Sequence, residues 1–142
     1  MKLLARVLGS ASAAVLSIGL ALAAGAQQST EKPYTVEDGK VDKKTFNGWR
    51  RYTESCLRCH GPDGAGSSYG PELVESVKRM TQDEFNEVVV NGRTNVNAAN
   101  TSVMPPFGEV EDVVTYLDDI WAYLEARADG VLGRGRPPRI GD

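Results

Sequence analysis

The stretch Cys56-Leu57-Arg58-Cys59-His60 decides how the rest of the chain is read. It has the C-x-x-C-H form that marks covalent attachment of c-type haem. Each cysteine sulfur adds to one haem vinyl group, and two intervening residues let both thioethers form on one short helical turn. The histidine that follows is directed at the iron, where an imidazole nitrogen serves as axial ligand. Composition sharpens the motif, because the 142 residues contain two cysteines and one histidine, all in this stretch. A tetrahedral zinc site wants four Cys, His or carboxylate ligands, and no second cluster completes one. A thioredoxin-like pair also reads C-x-x-C, but it sits in a βαβ pattern that this sequence lacks. A simple disulfide leaves the sole histidine without a role. The expected cofactor is therefore one covalent haem c on Cys56 and Cys59, with His60 as an axial ligand.

Working outward, the first segment reads as an export signal over residues 1–26. Lys2 and Arg6 form its charged start, residues 7–24 are apolar, and Ala24-Gly25-Ala26 is an A-x-A cleavage site. Gly9, Ser10, Ser12, Ser17 and Gly19 dilute the apolar run, which favours cleavage near Ala26 over a retained membrane anchor. A periplasmic location is expected, since covalent haem attachment happens outside the bacterial cytoplasm. Without Lys2 and Arg6 the 16 basic residues fall to 14 against 19 acidic, a net charge of −5. That balance disfavours nucleic acid or an anionic membrane as partner.

The remainder suffices for one small domain, and a covalent haem adds a large apolar body to its core. Residues 27–41 are polar, with Pro33 and Gly39, and read as an extended lead-in. Phe46, Trp49, Tyr52 (or Thr53) and Cys56 recur at helical spacing, which predicts a helix over 42–55 that runs into the haem motif. Residues 61–71, GPDGAGSSYGP, form a loop. A short helix over 72–80 presents Leu73, Val74, Val77 and Met80. Thr81 and Glu84 form a capping box for a helix that turns Phe85, Val88 and Val89 inward and stops at Asn91-Gly92. Residues 93–102, with Asn95, Asn97 and Asn100, read as a polar loop. A last helix starts near Glu109, buries Val113, Leu117, Ile120 (or Trp121) and Leu124, and ends at Gly130. The folded domain is thus placed at 42–130 and a Gly/Arg/Pro-rich tail at 131–142. No strand pattern is expected, so the fold class is all-α, with three to four helices around the haem.

One axial ligand leaves iron open to gas or peroxide, whereas two close it for electron transfer. No second histidine exists, so the candidates are Met80 and Met104. Met80 sits at helical spacing with Leu73 and Val77, where methionine is more often core than ligand. Met104 precedes Pro105-Pro106, whose fixed φ stiffens a loop that presents a thioether at a set point. Met104 is favoured over Met80.

The layout of helix, C-x-x-C-H, glycine-rich loop, methionine loop and C-terminal helix resembles the class I cytochromes c. The resemblance covers about residues 42–128. It implies that Gly48 packs against the last helix, that Tyr52 and Tyr123 (in Ala122-Tyr123-Leu124) pack near the haem, and that Pro71 offers its carbonyl to His60. A narrower likeness lies in Tyr116-Leu117-Asp118-Asp119-Ile120-Trp121-Ala122-Tyr123-Leu124, followed by Arg127-Ala128-Asp129-Gly130 and Leu132-Gly133-Arg134-Gly135-Arg136-Pro137. This stretch resembles the cytochrome c-L type associated with methanol oxidation.

The resemblance implies a monohaem electron carrier, not an enzyme. Its donor would be a pyrroloquinoline quinone (PQQ) alcohol dehydrogenase, and its acceptor another cytochrome or a terminal oxidase. The alternatives are a carrier for a different respiratory partner, a haem protein with an open sixth site acting as sensor or peroxidase, and a tightly bound dehydrogenase subunit. The acidic residues Glu109, Glu111 and Asp112 are candidates for steering a basic partner. The tail arginines Arg134, Arg136 and Arg139 read either as contacts for an acidic patch or as a loose terminus. Arg93 is a candidate neutraliser of a haem propionate.

Overall fold

Two helices cross at Gly48, and the rest of the chain is built around that crossing. The structure, a computed structural model, describes residues 31–96 and 101–141. The expected signal over 1–26 lies outside the described residues, as do Asn97 and Asn100 of the expected loop. Helix α1, Lys43–Ser55, begins at Asp42, whose carboxylate accepts from the Thr45 backbone N–H at 2.9 Å. The last long helix, Leu117–Ala128, buries Leu117, Ile120, Trp121, Ala122, Tyr123, Leu124 and Ala126. With seven of its twelve residues buried this helix lies in the centre of the fold, and it packs against α1 more extensively than any other pair of elements pack. Gly48 makes the crossing close, because a Cβ there would lie 1.8 Å from the Asp119 carbonyl oxygen and 3.0 Å from the Tyr123 Cβ. The inner stripe of α1 is Thr45, Gly48 and Tyr52. Phe46 and Trp49 sit half-buried beside it, and Thr53 is exposed.

Between these helices run α2 (Leu57–His60), a tight turn at Pro62–Gly64, α3 (Leu73–Val77) and α4 (Gln82–Asn91). Thr81 and Glu84 close a full capping box on α4. Phe85 and Val89 are buried from its inner face, with Phe85 5.3 Å from the Trp121 ring. Among the described residues no helix is long and apolar enough to cross a membrane.

Three parts of the fold depart from the expectation. The first is strand structure. The lead-in is not simply extended: β1 (Val36–Glu37) pairs antiparallel with β2 (Lys40–Val41), and Val41 is fully buried. Asp38 and Gly39 both take positive φ, 49° and 76°, the backbone of a primed hairpin turn. Nor is the Asn-rich stretch all loop, because β3 (Arg93–Val96) pairs with β4 (Thr101–Met104) in the register Arg93↔Met104 through Val96↔Thr101. Thr and Val on both sides suit strands; the asparagines between them masked the pairing.

Second, the last helix is two: α5, Glu111–Thr115, and α6, Leu117–Ala128, part at Tyr116. The β-branched run Val113-Val114-Thr115 is weak helix at that point, and Arg51 holds the Tyr116 ring 4.5 Å from its guanidinium carbon. With α2 this makes six helical segments among the described residues, where three to four were expected.

Third, the tail is ordered. Val41 N–H donates to the Pro138 carbonyl at 2.9 Å and the Ile140 N–H to the Val41 carbonyl at 2.9 Å. Leu132 is buried. Arg136 lies over Phe46 and Trp49, and Arg139 over Phe46, at 5.1 to 5.7 Å. These arginines are spent on the protein's own aromatic pair, each contact worth about 0.5–1 kcal/mol at such exposure.

The tail also grips the haem-motif loop. Asp63, 8% exposed and at φ 58°, accepts from Arg134 Nε at 3.2 Å and from the Gly135 N–H at 2.9 Å. Replacing Asp63 with alanine removes the acceptor of both bonds, whose exposed donors turn to water, and strains the left-handed backbone, an expected loss of about 1–2 kcal/mol in thermal unfolding. Asparagine, which tolerates that backbone, is expected to cost less.

At Asp42, burial raises the carboxyl's pKa. Hydrogen bonds from the Thr45 and Thr35 N–H groups and the Thr45 hydroxyl outweigh it and hold the pKa below the ordinary 3.8. The contribution is therefore full above pH 3.8 and fades as pH falls through the lower folded value. Asp42→Ala is expected to cost about 1 kcal/mol at neutral pH and progressively less in acid, as followed by chemical denaturation.

Candidate haem site

The motif sits at the turn from α1 into α2. Cys56 N–H closes α1 onto the Tyr52 carbonyl at 2.8 Å, and the His60 N–H reaches the Cys56 carbonyl at 2.9 Å. Tyr52 secures the loop after the motif. Its hydroxyl donates to the Gly61 carbonyl and accepts from the Gly64 N–H at 3.0 Å. Burial pushes its pKa up to about 12, so it stays a neutral donor. Its ring packs tilted against Tyr123, with centroids 5.4 Å apart and planes at 48°, a pairing worth about 0.5–1.5 kcal/mol beyond burial. Gly48, Tyr52 and Tyr123 thus form one packed column under the motif, the last two fully buried.

His60 is 7% exposed, and its Nδ1 lies 2.9 Å from the Pro71 carbonyl oxygen. A carbonyl only accepts, so Nδ1 carries the proton and Nε2 is the nitrogen left for a metal. Gly70 lies against the imidazole, where a Cβ would meet Nδ1 at 3.0 Å and Cε1 at 3.1 Å. The ring is fixed from two sides.

Cys56, Cys59, His60 and Met104 line one cleft of about 1160 Å³, open solvent included. Its walls are Leu73, Met80, Phe85, Val88, Val89, Phe107, Ile120 and Leu124, from α3, α4, α6 and the segment after Met104. Met104 is half-buried at the end of β4, not in a free loop as expected, and Pro105-Pro106 follow it. Met80 lines the same cleft, just beyond the end of α3. Arg93 and Tyr69 stand at the rim, both exposed.

These residues fit a haem. The walls are apolar, as a porphyrin face requires. The cysteines are unpaired, Cys59 exposed at the mouth and Cys56 half-buried. Burial, with Cys59 beside it, pushes the Cys56 thiol up to about 12. Among the described residues no three His, Cys, Asp or Glu side chains converge to cage an ion. Gly92 and Phe107 help to place the site and carried no functional reading in the sequence; Asp63 and Gly70 entered only within stretches that resemble the methanol-oxidation cytochromes, with no role of their own. Gly70 and Gly92 left a trace, since both stood at recognised breaks.

A short helical domain with an attachment motif, an oriented histidine and an apolar cleft defines a small c-type cytochrome. Residues 44–124 match the family model described as cytochrome c oxidase, cbb3-type, subunit III. Cytochrome c-553I of Paracoccus denitrificans is 50% identical over 106 residues, 75% of this chain but 47% of that protein, about half its length. Cytochrome c-555 of Methylococcus capsulatus is 38% identical over 67% of this chain and 72% of its own. The solved structure of the c-type cytochrome XoxG from Methylobacterium extorquens AM1 superposes with a TM-score of 0.66 at 37% identity, over 79% of this chain and 75% of that one. The chain belongs to this family of class I c-type cytochromes. The family implies a covalently bound haem c, and the relatives matched are named as cytochromes.

Proposed function

We propose that this cytochrome works in the periplasm, taking single electrons from a PQQ-dependent alcohol dehydrogenase and passing them to another cytochrome or a terminal oxidase. Cys56 and Cys59 would hold the haem as thioethers, and His60 and Met104 would ligate its iron. When bound, the haem supplies a one-electron iron couple. The protein's own residues do the rest. Pro71 holds the His60 ring in one tautomer and raises its basicity. Apolar walls from α3, α4 and α6 exclude water, and a thioether favours reduced iron and so raises the potential.

The observation that carries the reading of a carrier is that His60 and Met104 line the same apolar cleft. Two ligands leave no open position for a sensor or peroxidase. The donor rests on the resemblance of Tyr116 to Pro137 to the methanol-oxidation cytochromes. A periplasmic site rests on the export signal at residues 1–26 and on where covalent haem attachment takes place.

The test is stopped-flow reduction of the oxidised holoprotein by a PQQ methanol dehydrogenase with its alcohol, at several salt concentrations. Fast, saturable reduction that slows with salt is expected, with the exposed carboxylates Glu109, Glu111 and Asp112 steering the encounter. Rapid reduction by small reductants, with none by the dehydrogenase, would sink the donor and leave the carrier.

A further inference from the structure

We propose that Gly92 is a positioning residue: it is the seat on which the Met104 segment rests, and it sets where the Met104 thioether stands in the cleft. The inference rests on Met104 being an axial ligand. Gly92 ends α4 with φ +72°, a conformation that L side chains rarely adopt. A Cβ there would lie 2.6 Å from the Met104 carbonyl oxygen, 2.8 Å from the Pro106 nitrogen and 3.0 Å from the Pro105 carbonyl carbon. All three neighbours are backbone, so no flexible side chain can swing aside.

The contacts on either side make Gly92 the centre of a seam. Upstream, Arg93 pairs with Met104 across the hairpin. Downstream, the Phe107 N–H donates to the Val89 carbonyl at 3.0 Å and the Gly108 N–H to the Val90 carbonyl at 3.1 Å. The segment from 104 to 108 is thus held against the end of α4 at both its ends, with three backbone atoms resting on Gly92 between them. Pro105-Pro106 stiffens it, so a push at Gly92 is transmitted to Met104 instead of being absorbed. A metal ligand borne on a short segment depends on the groups that orient it.

The experiment compares the holoproteins Gly92→Ala, Gly130→Ala and Met104→Ala with the parent. Gly130 also has positive φ, +73°, but a Cβ there meets nothing within 4 Å. It therefore reports left-handed strain alone. Gly92→Ala is expected to lower the reduction potential. It is also expected to tighten apparent carbon monoxide binding by the reduced protein on the order of tenfold, since the fraction with the sixth position free sets that affinity. Gly130→Ala is expected to lose stability and change neither. Parent-like potential and carbon monoxide binding in Gly92→Ala, or equal shifts in Gly130→Ala, would overturn the seat. If Gly92→Ala does not accumulate, Gly108→Ala decides. It crowds the same seam at 3.0 Å from the Val90 carbonyl oxygen without a left-handed φ. A smaller shift in the same direction supports the seat; no shift overturns it. Should Met104→Ala itself leave the iron closed, the ligand assignment falls, and the seat with it.

Discussion

Replacing Met104 with alanine is expected to lower the reduction potential by on the order of 0.1–0.3 V, part of the roughly 0.8 V that axial ligands span. The same change is expected to let the reduced protein bind carbon monoxide. Both effects have one cause. A thioether is a soft ligand that stabilises the reduced iron more than the oxidised. Without it the sixth position takes water, which favours the oxidised state, or an added gas. Stability should change much less, because Met104 is only half-buried and ends a two-stranded hairpin at the edge of the fold. Equilibrium redox titration and carbon monoxide titration read the two effects directly.

Met80 is the control that gives this prediction its edge. It lines the same cleft, so burial and proximity alone do not separate the two methionines. Backbone support does. Met104 is paired to Arg93, followed by two prolines and backed by Gly92. Met80 lies beyond the end of α3, its N–H 3.5 Å from the Val77 carbonyl, a long bond. Met80→Ala is therefore expected to cost packing energy, about 1–2 kcal/mol for a half-buried side chain, with little change in potential. If the shifts appear in Met80→Ala and not in Met104→Ala, the ligand assignment is reversed.

What the sequence disclosed divides along a physical line. Local signals were legible: the haem motif, the capping box at Thr81 and Glu84, and the 3.6-residue stripe of α6 all depend on neighbours within a few residues, whereas the stripe read for α1 shared only Tyr52 with the buried face Thr45, Gly48 and Tyr52. Relations between distant segments were not. Gly48 was given its partner helix only through the family resemblance, since nothing in its own neighbourhood names Asp119. Asp63 looked like one more loop residue, and its role comes from Arg134 and Gly135, some seventy positions on. Short strands failed for another reason. Two-residue strands at 36–37 and 40–41 carry too few side chains to show alternation, although Asp38-Gly39 was a legible turn signal. The arginines of the tail read either as charge for a partner or as part of a loose terminus, and the structure sets two of them against Phe46 and Trp49. Composition cannot tell a solvated cation from one stacked on an aromatic ring.

Gly48→Ala tests the crossing on which all of this stands, and a net loss of about 2–4 kcal/mol is expected in guanidinium unfolding. Alanine is the better helix former by up to about 1 kcal/mol, so propensity alone predicts stabilisation. Geometry predicts the reverse. The new Cβ would stand 1.8 Å from the Asp119 carbonyl oxygen and 2.4 Å from its carbon, and neither is the end of a side chain. The helices must move apart, and overpacking of this kind typically costs about 1–3 kcal/mol before anything else is lost. Here more is lost. The Asn47 amide donates to the Asp119 carboxylate at 2.7 Å across the same crossing. Tyr52 and Tyr123 pack one turn further along. Gly133→Ala supplies the baseline, since a Cβ there meets nothing within 4 Å and its φ is ordinary; a change within about 0.5 kcal/mol is expected. The consequence reaches the haem motif, because the Tyr52 hydroxyl is what ties Gly61 and Gly64 to α1. Gly48→Ala should therefore also reduce the yield of haem-bearing protein, which the ratio of haem absorbance to total protein measures. Full haem content with unchanged unfolding would show that α1 and α6 can separate without loss, and that the close crossing does not hold the motif in place.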